Sequence, residues 1–127
     1  MLAVDTNVIV RLLVNDDARQ GAAARRLFES DEIWIGVTVL LETAWVLESV
    51  YDLSADQTVK ALQRLLGLPN VRAEDSGAFA AALDAAGRGL ELADALHLVR
   101  TPQSAVVVTL DRALAKGGKR IRAVRQV

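Results

Sequence analysis

The chain opens with Met1-Leu2-Ala3-Val4-Asp5-Thr6-Asn7, a short apolar run that ends on an aspartate. A largely apolar segment, residues 8–14, follows at once, and this pattern predicts a buried strand that leads into a helix capped by Thr6 or Asn7. Asp5 would then lie at the carboxyl end of the strand. Ligands of open parallel sheets bind outside the carboxyl ends of the strands, so further polar residues are sought at this edge.

The composition predicts one globular domain, residues 1–127, in which 52% of the residues are hydrophobic. The chain has no cysteine and only one histidine, His97, so any metal ion must be held by oxygen ligands. No apolar run approaches the roughly 18 residues of a membrane span. Asp5 and Arg11 interrupt the segment in which a signal peptide would need an unbroken apolar core, and we therefore expect a cytoplasmic protein without membrane association.

Strands alternate with helices along the rest of the chain, which predicts a parallel sheet with helices on both faces. Ser54 and Gln57 form a capping-box pattern at the start of one of these helices. The segment 105–109 is the clearest candidate for a buried strand. Further strands are predicted over 32–36, 71–73 and 121–124, and helices over 39–51, 54–66, 76–87 and 92–101. The polar turn 15–17 is expected to cap another helix, which runs through residue 29, and a short helical turn is expected over 112–116.

The helix over 39–51, for which Thr38 is the expected cap, is apolar over more than one stripe. A helix of this kind is buried on two sides. One side would contact the sheet and the other a partner chain, such as a second copy of the same protein. A helix that is wholly internal to the chain is the alternative.

Four acids are predicted to reach the same edge of the sheet. Asp5 and Asp111 directly follow strands, whereas Glu42 and Asp94 lie near the starts of helices that run back from that edge. Each acid alone is explained as a helix cap. Together, however, they would repel one another unless a cation lay between them, and Mg²⁺ or Mn²⁺ is the natural occupant of a site made of oxygen ligands.

Each of the four acids lies in a short sequence motif, and the four motifs are spread over the whole chain. They are Val4-Asp5-Thr6-Asn7, Glu42 in the helix after the second strand, Ala93-Asp94-Ala95-Leu96-His97, and Val108-Thr109-Leu110-Asp111-Arg112. Their order and spacing resemble the PIN domain, in particular the VapC-type toxin ribonucleases of bacterial toxin–antitoxin pairs. The resemblance departs from the family at Leu110, where an aromatic residue is usual and looks like a packing residue.

The resemblance implies a five-stranded parallel sheet flanked by helices and Mg²⁺- or Mn²⁺-dependent endonucleolytic cleavage of RNA. It also implies a homodimer and a small antitoxin whose C-terminal segment enters the acidic groove. Asp5, Asp94 and Asp111 would bind the metal, and Glu42 would orient the attacking water. Thr6, Asn7 and Thr109 could hold these carboxylates, although each is equally explained as a cap or turn residue.

The end of the chain is basic, with no acid from residue 112 onward. Its candidate RNA-binding residues are Arg112, Lys116, Lys119 and Arg120. A solvated basic surface explains the same pattern. His97 could contact a phosphate, but a hydrogen-bonded structural histidine is favoured.

Other functions fit the pattern less well. A phosphoacceptor domain would need a lysine after the last strand, and a haloacid-dehalogenase-like phosphatase would need Asp-x-Asp where the chain has Asp5-Thr6-Asn7. A catalytically silent PIN-like module that binds RNA or a protein is the remaining alternative to a nuclease.

Overall fold

Short parallel strands and longer helices alternate in the computed structural model, which describes residues 1–127. The chain divides into two units, Met1–Ser76 and Gly77–Val127. The elements of the first unit are β1 (Leu2–Ala3), α1 (Thr6–Val14), α2 (Ala18–Ser30), β2 (Ile33–Ile35), α3 (Val37–Ser49), α4 (Ala55–Leu66) and β3 (Val71–Ala73). The elements that follow are α5 (Ser76–Gly87), α6 (Leu92–Arg100), β4 (Val107–Thr109), α7 (Arg112–Gly117), the 3₁₀ turn Gly118–Arg120 and β5 (Val124–Gln126).

The first unit is built on a three-stranded parallel sheet in the order β1-β2-β3, with Leu2 opposite Ile33 and Ile33 opposite Val71. Helix α1 packs against α2 and α3, and α3 packs against α4. Val59, Leu62 and Leu65 follow one another at three-residue spacing and form the buried stripe of α4. The fully buried side chains of this unit include Ile9, Ile33, Ile35, Leu40, Leu47 and Leu62.

The second unit contains a two-stranded parallel sheet in which Val107 of β4 lies opposite Val124 of β5. The prediction of a mixed α/β fold with parallel strands is therefore confirmed. The five strands do not form one hydrogen-bonded sheet, however, but one sheet of three strands and one of two. The strands are only two or three residues long, and β1, with two residues, has few backbone groups to offer and pairs with β2 alone.

The prediction that 105–109 is a buried strand is wrong. Strand β4 covers only the last three of these residues, and Val106 and Val108 are 55% and 52% exposed. The strand pairs with β5 on one edge, and its alternate side chains face solvent on one side of the two-stranded sheet. The last strand also begins later than predicted, at Val124.

The predicted cap of α4 is confirmed, whereas the predicted caps of α1 and α3 are wrong. The Ser54 and Gln57 capping box is formed in full, and β3 has the predicted bounds. Asp5, rather than Thr6 or Asn7, caps α1. Helix α3 begins at Val37 instead of residue 39, so Thr38 lies inside the helix and is not its cap. The backbone N–H of Val37, at the start of the helix, donates to Glu74 Oε1 at 3.0 Å.

Candidate functional site

Asp5 lies just beyond β1 with an exposed side chain. Its Oδ1 accepts the backbone N–H of Val8 at 3.2 Å, so this carboxylate has a structural role at the start of α1. A carboxylate at that position satisfies a free backbone N–H group and complements the helix dipole. Val4, directly before it, is buried and anchors the connection between strand and helix.

Glu42 belongs to the same unit and lies on the exposed side of α3. The hydroxyl of Thr6 donates a short hydrogen bond to Glu42 Oε1. Thr6 is buried, and its hydroxyl therefore connects the start of α1 to one oxygen of an exposed carboxylate. This bond orients Glu42 without neutralising its charge.

A groove of about 440 Å³ runs beside Asp5 between α1 and α2. Asp5 and Asn7 line it together with Arg11 and Gln20, and Val8 and Leu27 add apolar surface. Arg11 donates from Nε to Gln20 Oε1 at 2.6 Å and from a terminal nitrogen to Tyr51 Oη at 3.0 Å. The hydrogen bond to Tyr51 and the charge of Asp16 raise the pKa of the Arg11 guanidinium above its ordinary value.

Two residues that shape this region, Arg11 and Glu74, were not among the predicted site residues. A charged residue within the otherwise apolar segment 8–14 was the one feature of the sequence that could have indicated a role for Arg11. Glu74 gave no signal, since its contact with the start of α3 joins residues 37 positions apart.

Asp94 belongs to the second unit and occupies the third position of α6. Its side chain is partly buried and forms no hydrogen bond or salt bridge. Glu91, at the cap position of α6, does not cap the helix through its side chain either. Capping therefore does not explain the carboxylate of Asp94, whereas it does explain that of Asp5.

Asp111 lies in the same unit, directly before α7, and is exposed. Its Oδ1 accepts the backbone N–H of Leu114 at 3.0 Å, which makes it the cap of α7. Its own backbone N–H donates to Thr109 Oγ1 at 3.0 Å. Thr109 thus fixes the backbone at Asp111 and not the carboxylate itself.

Each unit therefore holds two of the four predicted acids. Their oxygens are hard ligands of the type that Mg²⁺ and Mn²⁺ prefer. Neither unit by itself groups three carboxylate or histidine side chains that could hold a metal ion. The donor chemistry fits a divalent cation, but a joint ligand set of Asp5, Glu42, Asp94 and Asp111 stays a prediction.

One expectation about a neighbouring residue is wrong. His97 is exposed on α6 and its ring forms no hydrogen bond, so it is not the hydrogen-bonded structural histidine that was favoured. Leu110, which stands where the family usually has an aromatic residue, is 80% exposed.

The four basic residues predicted to contact RNA are all exposed in α7 and the 3₁₀ turn that follows it. None of them forms a side-chain hydrogen bond or a salt bridge. They are Arg112, Lys116, Lys119 and Arg120.

Comparison with known proteins identifies the family. The family model described as PIN domain matches residues 2–120, which takes in both units and all four predicted acids. No curated protein matches the chain. None of the helices has the length and apolar character needed to cross a membrane.

Proposed function

Because the chain belongs to the PIN-domain family, we propose that it is a Mg²⁺- or Mn²⁺-dependent endoribonuclease and the toxin of a type II toxin–antitoxin pair. PIN domains are usually nucleases, PIN nucleases act on RNA, and they generally use divalent metal ions. One observation carries the proposal. Asp94 is a partly buried carboxylate in the first turn of a helix, and neither a cap nor an ion pair accounts for it.

The proposed roles follow from the chemistry of each side chain. Asp5, Asp94 and Asp111 would hold the metal ion, which when bound lowers the pKa of water and stabilises charge on the leaving oxygen. Glu42, held by the hydroxyl of Thr6, would orient the attacking water. Asn7 beside Asp5, and Thr109 through the backbone of Asp111, would support these carboxylates.

The test is cleavage of a labelled RNA by the purified chain, free of any antitoxin, with Mg²⁺, with Mn²⁺ and with EDTA. We expect cleavage that requires the metal. Asp94→Asn should lower the rate by about a hundredfold or more, equivalent to about 2.7 kcal/mol of activation free energy.

Asp56→Asn is the matched control, since Asp56 is also an acid in the first turn of a helix, where it forms a salt bridge with Lys60 at 3.2 Å. This variant should cleave like the wild type. Cleavage that persists in EDTA, or equal rates for Asp94→Asn and Asp56→Asn, would refute the proposal.

A catalytically silent PIN-like module is a second candidate function. The observation that favours it is that Asp5 and Asp111 each cap a helix, so that a structural role explains both of these carboxylates. Such a module would bind RNA or a protein and leave RNA intact at every metal concentration, which the same assay measures.

A small antitoxin, a homodimer and a cytoplasmic location complete the proposal. The family resemblance supports the first, because inhibition by a small partner is typical of VapC-type toxins. The exposed Trp45 of α3 supports the second, because it places apolar surface where a second copy could pack.

A further inference from the structure

A groove of about 400 Å³ in the second unit has a basic lining that the proposed catalytic residues do not use. One wall is the end of α5 and the loop that follows it, and the other is α7 with the 3₁₀ turn. Arg88 belongs to the first wall, and Lys116 and Arg120 belong to the second. Leu90 and Ile121 supply apolar surface between them.

The two walls of this groove are packed against each other. A Cβ atom built at Gly117 would lie 3.0 Å from Leu90 Cδ2, so Leu90 rests directly on the end of α7. Gly89 has a φ of +112°, a backbone conformation that favours glycine and turns the chain toward Leu90. The backbone positions of the two walls are therefore fixed relative to each other by the contact of Leu90 with the end of α7.

The charge of the groove is positive throughout. Lys116 and Arg120 have no carboxylate partner, and no acid lines the groove. Arg88 forms a salt bridge only with Asp84, one turn earlier on α5. An exposed pair of this kind is weak and leaves the guanidinium able to contact an anion.

The basic surface continues past this groove. A second groove of about 400 Å³ is lined by Arg112, Lys116 and Lys119, so that Lys116 lies on both. Together the two grooves are lined by five basic side chains, which are more than a single phosphate group can contact. A ligand that contacts all of them would carry several anionic groups.

We propose that these two grooves, joined at Lys116, bind the phosphate backbone of single-stranded RNA on one side of the cleaved bond. The proposal rests on the proposed function for the identity of the polymer. Cations on both walls suit a chain of phosphates, and the apolar surface at Leu90 and Ile121 suits the bases of an unpaired strand. Because Asp111 caps α7, a strand lying along α7 would lead toward one of the predicted catalytic acids.

The experiment measures RNA binding by fluorescence anisotropy in EDTA, where no cleavage is expected. The probe is a short labelled single-stranded RNA of mixed sequence, titrated at several salt concentrations. Arg88→Gln combined with Arg120→Gln should weaken binding severalfold at low salt, because two phosphate contacts are lost, and by less at high salt. The slope of log Kd against log salt should fall by about 0.7 for each lost contact.

Arg72→Gln is the matched control. Arg72 is also an exposed arginine with one carboxylate partner, Glu32, but it lies on β3 in the first unit. This variant should bind RNA like the wild type.

A second pair of variants changes the groove without removing a cation. Ala113 is an exposed residue on the α7 wall of the first groove. Ala113→Glu should weaken RNA binding severalfold more than Ala113→Gln does, because the two side chains have the same size and only the glutamate repels phosphates. Circular dichroism of each variant checks that the fold is retained.

The outcomes separate this proposal from the proposed function. Loss of binding in the arginine double variant and in Ala113→Glu supports the groove even when the wild type cleaves no RNA. Equal affinity of these variants and their controls overturns it even when cleavage occurs. A labelled oligoglutamate peptide serves as a second probe. If the arginine double variant loses binding of this peptide but still binds RNA like the wild type, the groove binds an acidic protein segment instead.

Discussion

Asp94 and Asp111 both lie at the start of a helix, but only the carboxylate of Asp111 caps its helix. Asp111 accepts a backbone N–H of α7, whereas Asp94 in α6 has no partner. A partly buried charge without a partner lowers stability, and a capping charge raises it. Substitution of the two residues should therefore affect unfolding in opposite directions.

In EDTA we expect Asp94→Asn to unfold at the same temperature as the wild type or higher, because the amide removes a partly buried charge and no cap is lost. Asp111→Ala should lose about 1 kcal/mol of stability, and Asp111→Asn should lose little because asparagine caps as well as aspartate. Thermal melts followed by circular dichroism measure all three. A clear loss of stability in Asp94→Asn would mean that Asp94 stabilises α6 after all.

Repeating these melts with Mg²⁺ tests the role of Asp94 in metal binding. An ion that binds only the folded chain at about a hundred times its Kd adds roughly 2.7 kcal/mol to the stability of the wild type. Asp94→Asn should gain less. Equal gains for both proteins would show that Asp94 is not a ligand.

At the scale of elements, the second unit depends on close packing at Gly118, where the 3₁₀ turn contacts α6 and β5. A Cβ atom at this position would lie 2.7 Å from Leu98 Cδ1 and 3.4 Å from Val124 Cγ2. Leu98 is fully buried and cannot move aside freely. Gly118→Ala should therefore lower the free energy of unfolding by about 1–3 kcal/mol, measured by urea denaturation.

Gly87→Ala is the control for this substitution. Gly87 ends α5, and a Cβ atom there would have no neighbour within 4 Å. The variant should be neutral or more stable by up to about 1 kcal/mol, because alanine favours the helix and restricts the unfolded chain. If both variants have the same stability, the contact with Leu98 is not a constraint.

At the scale of the whole molecule, the sequence left open whether α3 is wholly internal to the chain or has a side that faces a partner. Leu40, Ala44 and Leu47 form its buried stripe, but Trp45 is 64% exposed. The helix is therefore not wholly internal to the chain. An exposed tryptophan beside the partly exposed Leu41, one turn earlier, is the surface on which we expect a second copy to pack.

Light scattering at micromolar concentration should report a dimer for the wild type and a monomer for Trp45→Glu, whose fold should survive because the residue is exposed. Leu110→Glu is the control, since Leu110 is another exposed apolar side chain and lies in the other unit. A monomeric wild type, or a dimer disrupted only by Leu110→Glu, would exclude α3 as the interface.

Features that depend on residues close together in the chain could be predicted from the sequence. The capping box of Ser54 and Gln57 joins residues three positions apart, and helix ends of this kind follow from local hydrogen bonds. The alternation of strands and helices, and the placement of Asp5 and Asp111 two residues after the ends of β1 and β4, follow from local apolar patterns in the same way.

Features that join distant segments of the chain could not be predicted in this way. The contact of Glu74 with Val37, the pairing of five strands as three and two, and the exposure of Val108 each depend on which segments meet after folding. The same holds for the groove that brings Arg88 to Lys116. Local sequence cannot specify these contacts, because burial and strand pairing are set by packing between elements that lie tens of residues apart.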